Sequence, residues 1–368
     1  MTAEAPAGLL ARRQAELKQA ARTTVGAVAA YIAYRLIGFE QGYWAVFTVV
    51  IVLQGSIGGT LGAAIDRLIG TIAGGLLGGL ALVLLPHTLA GMTFGLGLIT
   101  VLTTFAAAIR PQLRVAPVTA AIVLLSHTPG IAPERFVLDR IAEIALGGVI
   151  GVLTSMIVFP ARSRELVVAR AEKVLDGCAA VMRTLAVGFE TGAEPAIPGE
   201  HAALRKALAA TEAAMADAER EKSSRLADHG IPTAVPRTLW RIRNDLAQVT
   251  RGLEGAFTPA VAAILAPAAA QLLRDEADYV GRCGTALAAG ADVAREDIAE
   301  RYARFPAAVE ALRGAKLTQE LDFAAVGRLF GVIFALEQLH ANLTDLADRI
   351  DEAAEEPART PLLRFWRR

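Results

Sequence analysis

The sequence predicts an all-α protein in two parts, a six-transmembrane-helix bundle followed by a cytoplasmic α-helical bundle. Three observations predict it. Long uncharged apolar runs crowd residues 20–160, no such run is read after residue 160, and beyond it apolar side chains recur every three or four positions among Ala, Arg, Glu and Leu. The implied domains are a cytoplasmic N-terminal segment 1–19, a membrane domain 20–160, a cytoplasmic helical domain 161–352 and a tail 353–368. The tail carries Pro357, Pro361, Arg367 and Arg368, a composition expected to be disordered or to touch anionic lipid.

The first span is read at 23–34, extended to Phe39. Arg22 and Arg35 bracket it, close enough to its ends to snorkel to the headgroups. The uncharged runs 43–65, 68–85, 88–109, 115–133 and 144–161 follow, with 23, 18, 22, 19 and 18 residues. About 20 apolar residues cross a bilayer core, where every backbone N–H and C=O must be bonded internally. Short connections leave no polar faces with which to cover a soluble globule. The polar start, with Arg12, Arg13 and Lys18, argues against a secretory signal peptide.

Orientation follows from the retention of Lys and Arg on the cytoplasmic side. With the N-terminus inside, the inner segments hold Arg12, Arg13, Lys18, Arg22, Arg67, Arg110, Arg114, Arg162 and Arg164, and the outer ones Arg35, Arg135 and Arg140. Both termini are therefore expected in the cytoplasm. The 37 basic and 37 acidic residues balance, which argues against a nucleic-acid partner. Cys178 and Cys283 lack metal-ligand spacing and are read as free, buried thiols.

The third and sixth spans look like copies. Asp66-Arg67 leads to Gly74, Gly75 and Gly78, and Asp139-Arg140 leads to Gly147, Gly148 and Gly151 in the same register. The second and fifth join in, with Thr48 and Ile51-Val52-Leu53 matching Thr119 and Ile122-Val123-Leu124. Repeated three-span units reverse direction in the membrane, giving a 3+3 inverted repeat. Arg67 is then placed at the cytoplasmic start of the third helix and Arg140 at the outer start of the sixth, one at each mouth of a route, or both anchor helix ends beside neutralising Asp66 and Asp139. Gly70, Gly74, Gly78, Gly147 and Gly151 read as helix-packing positions that can also bring backbone near a substrate.

The stretch Gly42-Tyr43-Trp44-Ala45-Val46-Phe47-Thr48, then Gly59-Thr60, then Asp66-Arg67-Leu68-Ile69-Gly70-Thr71, with a closing Gly147-Gly148 and Gly151 helix ending in Phe159-Pro160, resembles the fusaric acid resistance and aromatic acid exporter family. The resemblance covers residues 20–165. It implies an inner-membrane exporter of small organic acids, often aromatic carboxylates, driven by the proton gradient; the aluminium-activated malate channels are similar in layout. Many family members carry two six-span blocks, so this chain is expected to pair as a homodimer. Arg67 matches the motif arginine and is the first choice for attracting a carboxylate. Trp44 and Tyr43 match the motif aromatics, as interfacial anchors or as a stacking surface. Thr48 and Thr71 are expected to bond back to helix carbonyls or to line the path. Gln54 is a pore-lining donor or an interhelical hydrogen bond. Glu143, with Asp66 and Asp139, is the candidate for a coupling proton; it is equally placed to pair with Arg140 or Arg67.

His87 and His127 fall in loops with no second ligand at helical spacing, and no metal or cofactor is expected. Gly55-Ser56-Ile57-Gly58-Gly59-Thr60 lacks the Lys and the preceding strand of a phosphate loop and reads as a closely packed stretch of the second span. In the cytoplasmic domain, helices are expected at 162–190, 200–228, 237–257, 259–289, 293–313 with a kink at Pro306, and 318–352. No catalytic motif stands there, so the chain is not read as an enzyme; dimerisation, gating or regulation are the roles left. Passive anion conduction and membrane scaffolding are the alternatives to export.

Overall fold

The computed structural model describes residues 13–126, 132–160, 163–195, 197–224, 234–255 and 257–355. Among them there are helices and no strands, as the all-α reading requires. Readings that rested on residues 1–12, on the loop around His127, on Arg162 and on the tail beyond residue 355 lie outside the described residues. The chain divides into two compact units, Met1–Ser163 and Arg164–Arg368.

Unit one holds α1 (Gln14–Ile37), α2 (Tyr43–Val52), α3 (Ile57–Leu84), α4 (Leu89–Ile109), α5 (Ala116–Leu125) and α6 (Pro133–Ile157) among its described residues. Six helices fall on the six runs, but α2 and α5 have only 10 residues each. Ten residues rise about 15 Å, half of a hydrocarbon core about 30 Å thick. The run 43–65 is therefore not one span. It breaks after Val52, and α3 starts afresh at Ile57, where Ser56 Oγ accepts from the Gly59 amide at 3.0 Å as an N-cap. The stretch 55–60 is this break and cap rather than the interior of a span.

The break needs partners for the backbone groups it releases, and polar side chains supply them. Thr60 Oγ1 accepts from the Gln54 amide at 3.0 Å, Gln19 Nε2 donates to Leu53 O at 3.0 Å, and Arg22 Nη1 donates to Gln54 O at 3.3 Å. Arg22 also donates from Nε to Val158 O at 3.0 Å and from Nη2 to Phe159 O, which ends α6. It is 3 % exposed, so it does not snorkel to headgroups. It ties the last carbonyls of α6 to the α2–α3 break, where orphan acceptors would otherwise face an apolar surround.

The long helices begin earlier than the uncharged runs suggested. α3 enters before Asp66 and Arg67, and α6 before Asp139, Arg140 and Glu143. Each short helix packs on the long helix of the other repeat, α2 on α6 and α5 on α3, while α3 and α6 pack on each other. The glycines permit this approach in matching fashion. A Cβ at Gly74 would run into Ala116 O and Thr119 Cβ, and one at Gly147 into Ala45 O and Thr48 Cβ. At Gly78 it would lie 2.7 Å from Ala120 O and 3.1 Å from Val123 Cβ, and at Gly151 2.8 Å from Val52 Cγ2. Equivalent glycines thus meet equivalent residues of the opposite repeat.

Unit one is inverted relative to a water-soluble fold. Leu36, Leu76, Val83, Leu84, Leu89, Phe94, Val101 and Phe105 are exposed, whereas Arg22, Thr48, Arg67, Thr71, Thr103, Thr119, Arg140 and Glu143 are buried. An apolar exterior around a polar interior suits a hydrocarbon solvent. α3 and α4 are each long and apolar enough to cross a membrane.

Unit two holds α7 (Ser163–Thr191), α8 (Pro198–Ser223), α9 (Ala234–Gly252), α10 (Pro259–Ala289), α11 (Ile298–Gly314) and α12 (Phe323–Glu355) among its described residues. One continuous core joins them, including Leu185, Leu208, Leu239, Leu246, Leu273, Tyr279 and Leu336. Cys178 and Cys283 are buried and free, and burial pushes both thiols up to about 12, which keeps them unreactive. α11 starts later than the sequence suggests because the preceding segment is held extended: the Val293 amide donates to Asp351 Oδ1 at 2.7 Å and Arg295 Nη1 to Asp348 Oδ1 at 2.6 Å. α12 starts at an Asp322 cap, with the Ala325 amide donating to Oδ1 at 2.7 Å. α12 is also long and apolar enough to cross a membrane, a stretch the sequence reading missed. Its Leu329, Val332, Leu336, Leu339 and Leu343 are buried in the core of unit two.

Candidate functional site

Two buried arginines of unit one, Arg67 and Arg140, converge on one face of α2. Trp44 and Thr48 are one turn apart and share that face. Arg140 lies with its guanidinium carbon 4.5 Å above the Trp44 ring, and Arg67 donates from Nε to Thr48 Oγ1 at 3.0 Å. Arg67 is 7 % and Arg140 3 % exposed. They are not at helix starts and do not mark opposite mouths. Ten residues of α3, about 15 Å, precede Arg67, and both guanidinium groups reach the same helix one turn apart.

The aspartates do not neutralise them. Neighbouring residues on a helix point about 100° apart, so Asp66 and Asp139 turn away from the arginines that follow them. Asp139 is exposed and Asp66 half-buried. Arg140 instead pairs with Glu143, Nη1 to Oε2 at 3.3 Å, and donates from Nη2 to Gln41 Oε1 at 2.6 Å. Glu143 is 2 % exposed. Arg67 has no carboxylate within ion-pair distance among the described residues; its side-chain partner is the neutral Thr48 hydroxyl. A buried guanidinium without a counter-charge is costly in any apolar surround.

Several further donors in the cluster lack acceptors. Trp44 Nε1, Arg140 Nε and Thr71 Oγ1 are buried without a partner. Thr71 is one turn beyond Arg67 on α3 and is therefore not bonded back to its helix, contrary to expectation. Thr48 likewise spends its oxygen on Arg67. The unsatisfied set consists of N–H and O–H groups around a net positive charge. A ligand rich in acceptors and negatively charged complements it, as a carboxylate does with two oxygens and four lone-pair directions.

Residues 28–154 match the family described as fusaric acid resistance protein-like. The matched segment contains every residue of the α2 cluster, from Gln41 to Glu143, and this similarity together with the apolar helices points to a multi-pass membrane protein. Comparison with curated proteins returned no match.

The remaining sequence candidates fall outside the cluster. Tyr43 is 43 % exposed at the rim, its ring 5.6 Å from that of Trp44 and 5.8 Å from that of Phe47. Gln54 is exposed, its amide turned to Ile51 O at 3.4 Å. His87 is exposed in a loop. Sequence reasoning missed two participants. Gln41 orients Arg140 across 99 residues of chain, and Arg22, outside the cluster, secures the α2–α3 break against the end of α6. The repeat held a signal for the first, since Gln41 precedes Ala45 and Thr48 as Gln112 precedes Ala116 and Thr119. At the position equivalent to Glu143, a Cβ on Gly70 would lie 3.2 Å from Val115 Cβ, which leaves little space for a carboxylate side chain.

Proposed function

We propose that the protein exports small organic anions, aromatic carboxylates among them, across the inner membrane. Six helices of unit one form the route, both termini face the cytoplasm, and two copies pair to supply the second six-helix block. The observation that carries the reading is Arg67, buried in a unit with an apolar exterior and balanced by no carboxylate among the described residues. Its terminal nitrogens offer a planar fork to a substrate carboxylate, with the Thr71 hydroxyl one turn away. The Trp44 ring, already under Arg140, gives an aromatic substrate a face to stack on.

The Arg140–Glu143 pair is the candidate proton carrier. With Glu143 ionised, Arg140 is neutralised and the local charge comes from Arg67 alone. Protonating Glu143 releases Arg140, so the cluster gains a positive charge and holds an anion more strongly. The hold of the cluster on an anion thus depends on the protonation of Glu143, and that dependence is the proton linkage proposed. Everted vesicles loaded with the protein and offered benzoate test the reading. Export activity appears as benzoate uptake that responds to an imposed proton gradient. Uptake indifferent to the gradient removes the coupling, and absence of uptake across a panel of aromatic and aliphatic carboxylates removes the function.

A further inference from the structure

Unit two contains a second cationic cluster that the transport route does not use. His201 and Arg205 are one turn apart on α8, and Arg243 and Thr250 are two turns apart on α9, with Arg251 following. The two helices are joined there by His201 Nε2 and Thr250 Oγ1 at 2.9 Å. Thr250 donates its own proton to Leu246 O at 2.8 Å, so the shared hydrogen comes from His201 Nε2. That leaves Nδ1 as the unprotonated nitrogen of a neutral ring, and it is buried without a partner.

Arg183, Arg241, Arg274, Arg282, Arg295, Arg301 and Arg349 of the same unit all form ion pairs. Arg205, Arg243 and Arg251 form none among the described residues, and Arg243 bonds only to the neutral Asn244 amide, at 3.0 Å, with its Nε buried and unpartnered. Arg205 from its own helix and Arg243 and Arg251 from α9 are the charged groups that act on His201 most, while Glu200, the preceding residue of α8, is exposed. Burial first, and then these three arginines, hold His201 below the ordinary histidine range.

We propose that this α8–α9 cluster binds a small divalent oxyanion, of the phosphate-monoester or dicarboxylate kind, as a ligand of unit two distinct from the transported substrate. The three guanidinium groups neutralise it, and a proton taken up at His201 Nδ1 adds a fourth donor when the anion is present. Binding therefore consumes a proton and tightens as pH falls through the histidine range.

Calorimetric titration of the full-length protein in detergent with sulfate tests this, in chloride at constant ionic strength, because sulfate keeps its charge between about pH 6 and 8. The expected result is saturable binding that weakens about tenfold or more in Arg243→Gln and in Arg205→Gln. Arg205 is exposed, so its variant keeps the fold if Arg243→Gln does not. Arg183→Gln, which removes an exposed pair with Asp278, should bind as the parent does. Affinity should rise from pH 8 to 6 in the parent and stay flat in His201→Gln. Displacement of sulfate by phenyl phosphate or by malonate then assigns the class. Absence of saturable binding, or equal affinity in parent and both arginine variants, overturns the proposal without touching the transport reading, which is scored by benzoate uptake.

Discussion

Arg67 separates into charge and shape when it is replaced by two different residues. Arg67→Gln keeps a polar side chain but removes the charge, and benzoate uptake should fall about a hundredfold, as the loss of a buried charge-assisted pair implies. Arg67→Lys restores the charge without the fork, and its uptake should recover only in part. Both are read as initial uptake per folded protein, with circular dichroism as the folding control. Glu143→Gln should leave benzoate moving while uptake loses its response to the proton gradient; a retained response would take the coupling role away from this residue. Much at this scale was legible beforehand. The motif named Arg67, Trp44 and Thr48 and the repeat named Arg140, yet their convergence on one face of α2 was not legible. Arg140 meets Trp44 and Gln41 across about a hundred residues of chain, and no local periodicity encodes such a meeting. The pairing of Asp66 with Arg67 was avoidable, since the helical rotation of 100° per residue already forbids it.

Among the elements, the half-length helices α2 and α5 are the feature with most consequence. Composition could not reveal them, because Gln54-Gly55-Ser56 carries no charge and no proline, and the partners that make the break tolerable come from α1. The glycine register of the repeat was legible in the sequence, and the structure gives it a physical use at the α2–α6 and α5–α3 crossings. Gly147→Val should drive a side chain into the Ala45 carbonyl and destabilise unit one by roughly 1–3 kcal/mol, as overpacking does. Gly281→Ala, on α10 where no atom lies within 4 Å, is the matched control and should leave stability unchanged or slightly raised. Arg22→Ala leaves carbonyls of Gln54, Val158 and Phe159 without their donor and should lower the thermal midpoint in detergent further than Arg35→Ala, whose arginine is exposed. Equal midpoints for Arg22→Ala and Arg35→Ala would remove the bracing role.

For the whole molecule, the two units solve opposite solvent problems with the same secondary structure. Unit one exposes its large apolar side chains and buries its arginines, and unit two gathers its apolar residues into one core and leaves most ion pairs at its surface. Composition alone announced that division, because uncharged runs and amphipathic periodicity are additive along the chain. The exception was α12, whose apolar stretch reads equally as a span or as a core helix until its partners are known. Residues 164–355 produced alone should therefore be helical and monodisperse without detergent, whereas a fragment ending at residue 163 should need it; aggregation of the first fragment in detergent-free buffer would contradict the division. The most direct test of the central claim is benzoate uptake into proteoliposomes by the parent and by Arg67→Gln, at matched reconstitution and with the same proton gradient. The account predicts saturable uptake in the parent and its near-complete loss in the variant. Equal uptake by the two would show that the buried, unbalanced guanidinium on α3 does not handle the anion.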